Sequence, residues 1–363
     1  MEAAWELSGN PSSVHAEGRR ARRLVEDARL AVAQAAGARP QEVVFASGGT
    51  EANALALNPG LRREARTQVR RLLVSAIEHV SVMAGGRFST DVTDHIRVTR
   101  TGMLDLDHLK AKLADGPPAL VSVMLANNET GAVQPVADAG NIVHAAGGLL
   151  HVDAIQAFGK IPIDINTLNA DMVTLSAHKI GGPKGVGALV LAEGVQGLEP
   201  LVRGGGQELG RRAGTENVTG IAGFGAAATA AIAVLEGDAS RLVGLRDRLE
   251  RGLRQTEGAI IFAGDVPRLP NTTLFTVPGL KAETAVIGFD LAGIAVSSGS
   301  ACSSGKVQPS HVLKAMGVSP ELAQGAVRLS LGWLSSETDV DRALEAWRKL
   351  AGNLLKEKPR NTA

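Results

Sequence analysis

Six short apolar runs dominate the first half of the chain: EVVFA (42–46), RLLVSAI (71–77), ALVSVMLA (119–126), GLLHVDA (148–154), DMVTLSA (171–177) and GALVLA (187–192). Turn residues close each run, and stretches of helical spacing separate them. Runs this apolar belong to strands covered on both faces. Alternation with helices is how a mostly parallel sheet obtains that cover. The expected class is α/β. One covering helix shows in Ala21, Leu24, Val25, Ala28, Ala31, Val32 and Ala35, which fall on one face; Gly37 ends it and Pro40 blocks its resumption. Patterns at 135–146 and 217–235 supply two more helices. Near Gly237-Asp238 the character changes to an amphipathic helix (240–254), short strands (259–262, 272–276), a helix (282–291), a Gly/Ser-rich segment (297–305) and a terminal helical stretch with Glu337, Asp339, Asp341 and Arg342. With 363 residues, two domains are expected: a large one over 1–235 and a smaller α+β one over 236–363.

Composition narrows the function classes. Apolar residues make up 44% and charged residues 21%, and the net charge is +1, so neither a nucleic-acid nor a membrane partner is expected. The clustered Arg19, Arg20, Arg22 and Arg23 have no interleaved aromatics and read as a solvated face. The longest near-apolar stretch, Ile221 to Leu235, is 15 residues, short of a span and expected to be a buried helix. MEAAWELSGNPSS lacks the basic and apolar regions of a signal peptide, so a cytoplasmic protein is expected. A single cysteine, Cys302, excludes an intrachain disulfide and a cysteine-rich metal site.

Two places carry chemistry. After 42–46 comes Ser47-Gly48-Gly49-Thr50-Glu51-Ala52-Asn53, a strand-to-helix turn of small residues where backbone N–H groups and the Thr50 hydroxyl can meet an anion. Such turns are common, and this one is neither a Walker loop nor a dinucleotide fingerprint. His151-Val152-Asp153 and Ser176-Ala177-His178-Lys179 close two further strands, before the loop Gly181-Gly182-Pro183-Lys184-Gly185. Carboxyl ends of strands in open α/β sheets are where ligands bind. Singly, such a lysine is more often a surface residue and such an aspartate a turn or cap residue. Together they match a pyridoxal phosphate (PLP) site, which needs a Schiff-base lysine and an acid to keep the pyridine nitrogen protonated.

Eight segments, in order, resemble one family: GNPSSVH (9–15), FASGGTEAN (45–53), EHVSV (78–82), ANNETGAVQP (126–135), HVDAIQAFGK (151–160), SAHKIGGPKG (176–185), RGGGQELGRRAGTEN (203–217) and SSGSACSSG (297–305). They are similar to the NifS/IscS-like cysteine desulfurases, PLP enzymes of aminotransferase class V, from about Gly9 to Trp333. The resemblance implies fold type I, with a large PLP-binding domain and a small C-terminal domain. It implies Lys179 as the Schiff-base lysine, Asp153 on the pyridine N–H, Gln156 on the phenolic oxygen and His79 stacked on the ring. Gly49, Thr50, Ser176 and His178 would hold the phosphate, with Thr215 reaching it from the second subunit of a homodimer. Asn128 and Arg328 would fix the substrate carboxylate, and Cys302 would be the persulfide-forming nucleophile. Without the resemblance, His79 reads as a capping or core histidine and Arg328 as a structural ion pair.

Cys302 stands among Ser297, Ser298, Gly299, Ser300, Ala301, Ser303, Ser304 and Gly305, a small polar setting that suits an exposed, working thiol rather than a core cysteine. The segment through Gln308-Pro309-Ser310 resembles the longer-loop branch of the family, which implies delivery to an iron–sulfur scaffold or other acceptor protein, with transient cluster contact at Cys302 and no resident metal. The expected activity is removal of sulfur from L-cysteine, giving L-alanine and a Cys302 persulfide. Alternatives are a selenocysteine lyase, a class V aminotransferase, or a shortened non-catalytic assembly subunit. The last arises because relatives begin with a strand and a Thr-rich turn resembling YLDxxATTP, whereas MEAAWE here reads as the middle of a helix. Gly181-Gly182 and Arg203 also depart from the family pattern, and the chain has no tyrosine.

Overall fold

A computed structural model describes residues 1–64, 67–299 and 310–355. The chain divides into two compact units. The first comprises 1–97, 104–126 and 134–235, and the second comprises 98–103, 127–133 and 236 onward. Two short excursions of the first 235 residues therefore cluster with the second unit, and one of them carries Asn128.

The first unit is built on a seven-stranded sheet. Its strands are β1 (Val43–Ala46), β2 (Arg71–Ser75), β3 (Thr93–Ile96), β4 (Ala119–Met124), β5 (Leu149–Asp153), β6 (Met172–Ser176) and β7 (Gly187–Leu191), in the order β1-β7-β6-β5-β4-β2-β3. The pairs β2–β3, β2–β4, β4–β5 and β5–β6 are parallel; β7 runs antiparallel to both β6 and β1. Both faces of β4, β5, β6 and β7 are buried, as their unbroken apolar runs require. The edge strand β3, TDHI, gave no sequence signal: two of its four residues are exposed, so it needs no apolar run.

Besides a four-residue helix at Glu2–Trp5, the helices of this unit are α1 (Ala16–Ala35), α2 (Gly49–Ala56), α3 (Val80–Met83), α4 (Leu106–Ala114), α5 (Val136–Ala145) and α6 (Val218–Ala233). Helix α1 starts five residues before the expected Ala21, because His15 caps it, accepting from Gly18 N at 3.2 Å. The expectation of a buried helix over 221–235 is corrected. Only the inner stripe of α6, with Ile221, Phe224 and Ala228, is buried, while Ile232 is 39% and Val234 53% exposed. That stripe packs on α1 so closely that a Cβ on Gly225 would stand 2.6 Å from Ala28 Cα, so the contact admits only glycine there. No single helix among the described residues is long and apolar enough to cross a membrane.

The second unit holds an antiparallel sheet of β8 (Ile260–Ile261), β9 (Thr272–Thr276), β10 (Ser297–Ser298) and β11 (Val327–Ser330), ordered β8-β9-β11-β10. Helices α7 (Leu235–Leu253), α8 (Ala282–Leu291), α9 (His311–Ala315), α10 (Pro320–Gln324) and α11 (Glu337–Leu354) complete it. Trp347 of α11 is fully buried, edge-on to Phe275 at 4.9 Å and stacked on Phe289 at 6.3 Å, with its indole N–H donated to Thr256 Oγ1 at 2.8 Å. Ser336 and Asp339 form a capping box at the start of α11.

Candidate active site

The turn from β1 into α2 lies against the end of β6. A Cβ on Gly49 would stand 2.2 Å from Ile155 Cδ1 and 3.5 Å from Ser176 Cβ. A Cβ on Gly187 of β7 would stand 2.6 Å from the Gly48 carbonyl carbon. Glycine at 187 lets backbone approach backbone, and glycine at 49 lets the start of α2 close on the Ile155 side chain, leaving the first N–H groups of α2 available to an anion. Thr50 and His178 are exposed, and Ser176 is buried with Oγ 2.9 Å from His178 Nδ1. Ser47 N donates to Glu51 Oε2, and Arg212 Nε donates to Glu51 Oε1 at 2.9 Å. Burial would raise the Glu51 carboxyl, but Arg212 and Ser47 outweigh it and hold the group below its ordinary value. This pair also ties the exposed Thr215 segment to α2.

Strand β6 ends at Ser176, and a 3-10 turn, Ala177–Ile180, carries His178 and Lys179. Gly181 stops the turn in the left-handed region at φ 80°, and Gly182 N returns to Ala177 O at 2.9 Å. The Gly181-Gly182 departure from the family pattern thus meets a backbone demand. On the neighbouring strand β5, Asp153 is 4% exposed. Its Oδ1 accepts from Ile155 N at 3.0 Å, the turn role foreseen for it, and its Oδ2 accepts from Asn53 Nδ2 at 2.8 Å.

Asn53 organises this region, and sequence reasoning assigned it no role. Its Nδ2 also donates to Ser81 Oγ at 2.9 Å, and its Oδ1 accepts from Thr174 Oγ1 at 2.6 Å. The donors then fall into one order. Thr174 has spent its only proton, so its oxygen accepts from His151 Nε2 at 3.2 Å, and His151 Nδ1 accepts from Ser122 Oγ at 2.8 Å. Burial holds His151 down to about 3, consistent with a neutral ring. Ser81 Oγ accepts from Asn53 and donates to His79 Nδ1 at 2.8 Å, which also accepts from Ser81 N at 3.2 Å. With Nδ1 accepting, the His79 ring carries a proton on Nε2. His79 does cap α3, as the bland reading had it. A signal for Asn53 was available: it lies with Gly49, Ala52 and Ala56 on the buried stripe of α2, where a lone amide needs partners.

Burial raises the Asp153 carboxyl, against lowering by the Ile155 N–H, Asn53, His79 and Lys179. The adjacent Glu78, fully buried with Oε1 accepting from Met124 N, is raised well above its ordinary value by burial and then by the Asp153 charge. Of the two acids, Asp153 has the opposing charge of Lys179, so a negative charge is favoured on Asp153 and a proton on Glu78. Among the described residues Asp153 has no ion-pair partner within 4.0 Å, so a cationic N–H brought to it would be strongly held. The half-buried Gln156 lies in the turn after β5, and its carbonyl accepts from Lys160 Nζ at 2.7 Å. Burial and then the charge of Lys179 lower Lys160 to about 8.

Asn128 and Arg328 meet within the second unit. Arg328 Nη1 donates to the Asn128 carbonyl at 2.6 Å, and Nη2 reaches Ser297 Oγ at 3.4 Å, across the Ser297–Arg328 register of β10 and β11. Cys302, with Ser300 to Pro309, lies outside the described residues.

An acidic anchor on β5, a lysine at the end of β6 and an anion cradle at the start of α2 fit the three ends of PLP. Comparisons with known proteins identify the family. The family model described as aminotransferase class-V matches residues 2–343. A cysteine desulfurase of Cereibacter sphaeroides is 45% identical over 346 residues, covering 94% of this chain and 88% of that protein. The solved structure of a NifS-like protein from Rickettsia africae ESF-5 superposes with TM-score 0.87 at 35% identity, covering 97% of this chain and 94% of that one. A structure described as SspA in complex with cysteine gives TM-score 0.72 at 31% identity, with 90% and 91% coverage.

Proposed function

The chain belongs to the aminotransferase class-V family, in its cysteine desulfurase branch, and from that premise we infer that it removes sulfur from L-cysteine with PLP as cofactor, giving L-alanine. The observation that carries the reading is the one-directional hydrogen-bond order that fixes Asp153 and His79 through Asn53 and Ser81, beside a strand end bearing Lys179.

Asp153 would hold the pyridine nitrogen, Lys179 the aldehyde carbon and Gln156 the phenolic oxygen. Gly49, Thr50, Ser176 and His178 would hold the phosphate, with Thr215 supplied by a second copy of the chain. PLP when bound supplies an electron sink for the substrate Cα. Asp153 keeps that sink cationic, and Glu78, holding its proton, leaves the negative charge there. The Lys179 amine takes the α-proton, and His79, its proton fixed on Nε2, offers a donor edge of constant polarity. Arg328, braced on the Asn128 carbonyl, receives the substrate carboxylate together with the Asn128 amide. The Cys302 thiolate attacks the substrate sulfur. The S–S bond forms as the Cβ–S bond breaks, the electron pair stays on Cβ and is protonated, and alanine leaves. The persulfide then passes to an acceptor thiol or iron–sulfur scaffold in the cytoplasm.

The test is release of alanine and sulfide from L-cysteine by the purified chain with PLP and a reductant, beside Cys302→Ala. Equal yields that vanish in the variant support the reading. Turnover that survives Cys302→Ala would replace it with another class V reaction.

A further inference from the structure

Glu129 is a buried acid that the mechanism above does not use. It is 4% exposed and belongs to a turn locked by Asn127, whose Oδ1 accepts from Glu129 N at 2.9 Å, Thr130 N at 2.9 Å and Thr130 Oγ1 at 3.2 Å. The turn is pinned at its far end, where Leu269 N donates to Gly131 O and Val133 N to Pro267 O, each at 2.8 Å. It therefore presents the Glu129 carboxylate from a rigid base.

That carboxylate meets the chain on both sides of the Cys302 segment. Ser310 Oγ, 2% exposed as a residue, lies 2.5 Å from Glu129 Oε2. The same hydroxyl caps α9 by accepting from Leu313 N at 3.0 Å, so its proton is free to go only to the carboxylate. On the other side, Gly299 is held by its N–H to Ala326 O at 2.9 Å, and a Cβ there would stand 3.7 Å from the same Glu129 Oε2. One oxygen is thus the common neighbour of residues 299 and 310.

We propose that Glu129 is a positioning residue for the sulfur-accepting cysteine, its carboxylate fixing through Ser310 where the Cys302-bearing chain returns and lying beside its departure at Gly299. The proposal rests on reading Cys302 as the nucleophile. The turn that braces Arg328 through the Asn128 carbonyl is also the turn that anchors these flanks, so substrate carboxylate and attacking sulfur are referred to one rigid element. An acid serves better than an amide here because a hydroxyl donating to a carboxylate is the stronger bond. Burial raises Glu129 to about 7, Ser310 and Arg328 opposing, so the group ionises near neutral pH.

The chain has one cysteine, so thiol labelling reports Cys302 alone. In the PLP-loaded full chain, Glu129→Ala, Glu129→Gln and Ser310→Ala would be compared with the parent for the rate of Cys302 labelling by iodoacetamide without substrate, and for kcat and KM with L-cysteine. Glu129→Ala and Ser310→Ala are each expected to change the labelling rate and lower kcat by about tenfold, the scale of one charge-assisted hydrogen bond, with KM within about twofold. Glu129→Gln should fall between, and the Glu129→Ala/Ser310→Ala double variant should be no worse than either single one. Labelling rates all within about twofold of the parent would overturn the proposal. So would a rise in KM with kcat kept, which would assign Glu129 to Arg328 instead. Ser310→Ala removes only a hydroxyl and keeps the test informative if Glu129→Ala does not fold. Labelling needs no turnover, so an inactive parent would count against the desulfurase reading and leave the anchoring measurable.

Discussion

The residues proposed for the cofactor in the first unit and those proposed for the substrate in the second are arranged on different principles. Around Asp153, polar side chains are chained together: Asn53 serves Asp153, Ser81 and Thr174 at once, and the order of donors runs to His79 in one direction and Ser122 in the other. Around Arg328, the partners include a backbone carbonyl and a serine hydroxyl, and the side chain stays half-buried. A resident cofactor rewards a network set before it arrives, because reorganisation would be repeated in every turnover. A substrate that must enter and leave rewards a charge left partly solvated and braced on backbone. The contrast predicts that changes in the first set cost activity and folding together or in opposition, whereas changes in the second set tune rate and affinity.

The largest effect is expected at Lys179. Lys179→Ala should remove the Schiff-base absorbance and lower turnover by on the order of 10⁴-fold; retained absorbance would break the assignment. Next, Asp153→Asn should lower turnover by on the order of 10²–10³-fold while leaving the thermal midpoint of the PLP-free protein unchanged or higher, since it removes a charge that burial disfavours. A lower midpoint without PLP would show that Asp153 is a structural anchor rather than a poised acid. Third, the raised Glu129 carboxyl sets a pH trend. Its folded value of about 7 exceeds the ordinary 4.5, so its contribution to stability is fully present below about 4.5 and is lost as pH rises through about 7. That amounts to about 3 kcal/mol, to be seen as a pH slope in denaturant midpoints that Glu129→Gln makes shallower, the raised Glu78 and Asp153 carboxyls supplying the remainder. Identical slopes in the two proteins would refute it. Fourth, Asn53→Ala should destabilise the fold by about 2 kcal/mol, by leaving Asp153, Ser81 and Thr174 each short of a partner. Urea unfolding of the PLP-free chain measures this, and a change under about 0.5 kcal/mol would mean the network is looser than drawn. The smallest effect is expected for Arg328→Lys, about tenfold in kcat/KM and mainly in KM, because an ammonium cannot brace on Asn128 O and grip a carboxylate with two parallel bonds. A loss confined to kcat would place Arg328 nearer the chemistry.

Much of the site was legible because its signals are local. Gly48-Gly49-Thr50 at the start of α2, Asp153 at the end of β5 and Lys179 just past the end of β6 are each announced by the turn or strand end beside them. The central sheet was legible for the same reason: unbroken apolar runs are what two-sided burial demands, and the polar edge strand β3, free of that demand, was the one missed. Asn53 and Glu129 were spelled out within quoted motifs yet carried no visible role. Their partners, Asp153 and Ser310, stand 100 and 181 positions away, and no period in the sequence encodes such a pairing.

The sequence by itself determined the class of fold and the kinds of chemical group present: an α/β sheet, a lysine, an aspartate, an arginine and one thiol. Only the tertiary structure decided which group holds which proton. That the Asp153 side of the Glu78–Asp153 pair keeps the charge, that His79 is protonated on Nε2, and that Ser310 spends its proton on Glu129 follow from burial and from counting donors around each oxygen. Both are properties of packed neighbours rather than of the order of residues along the chain.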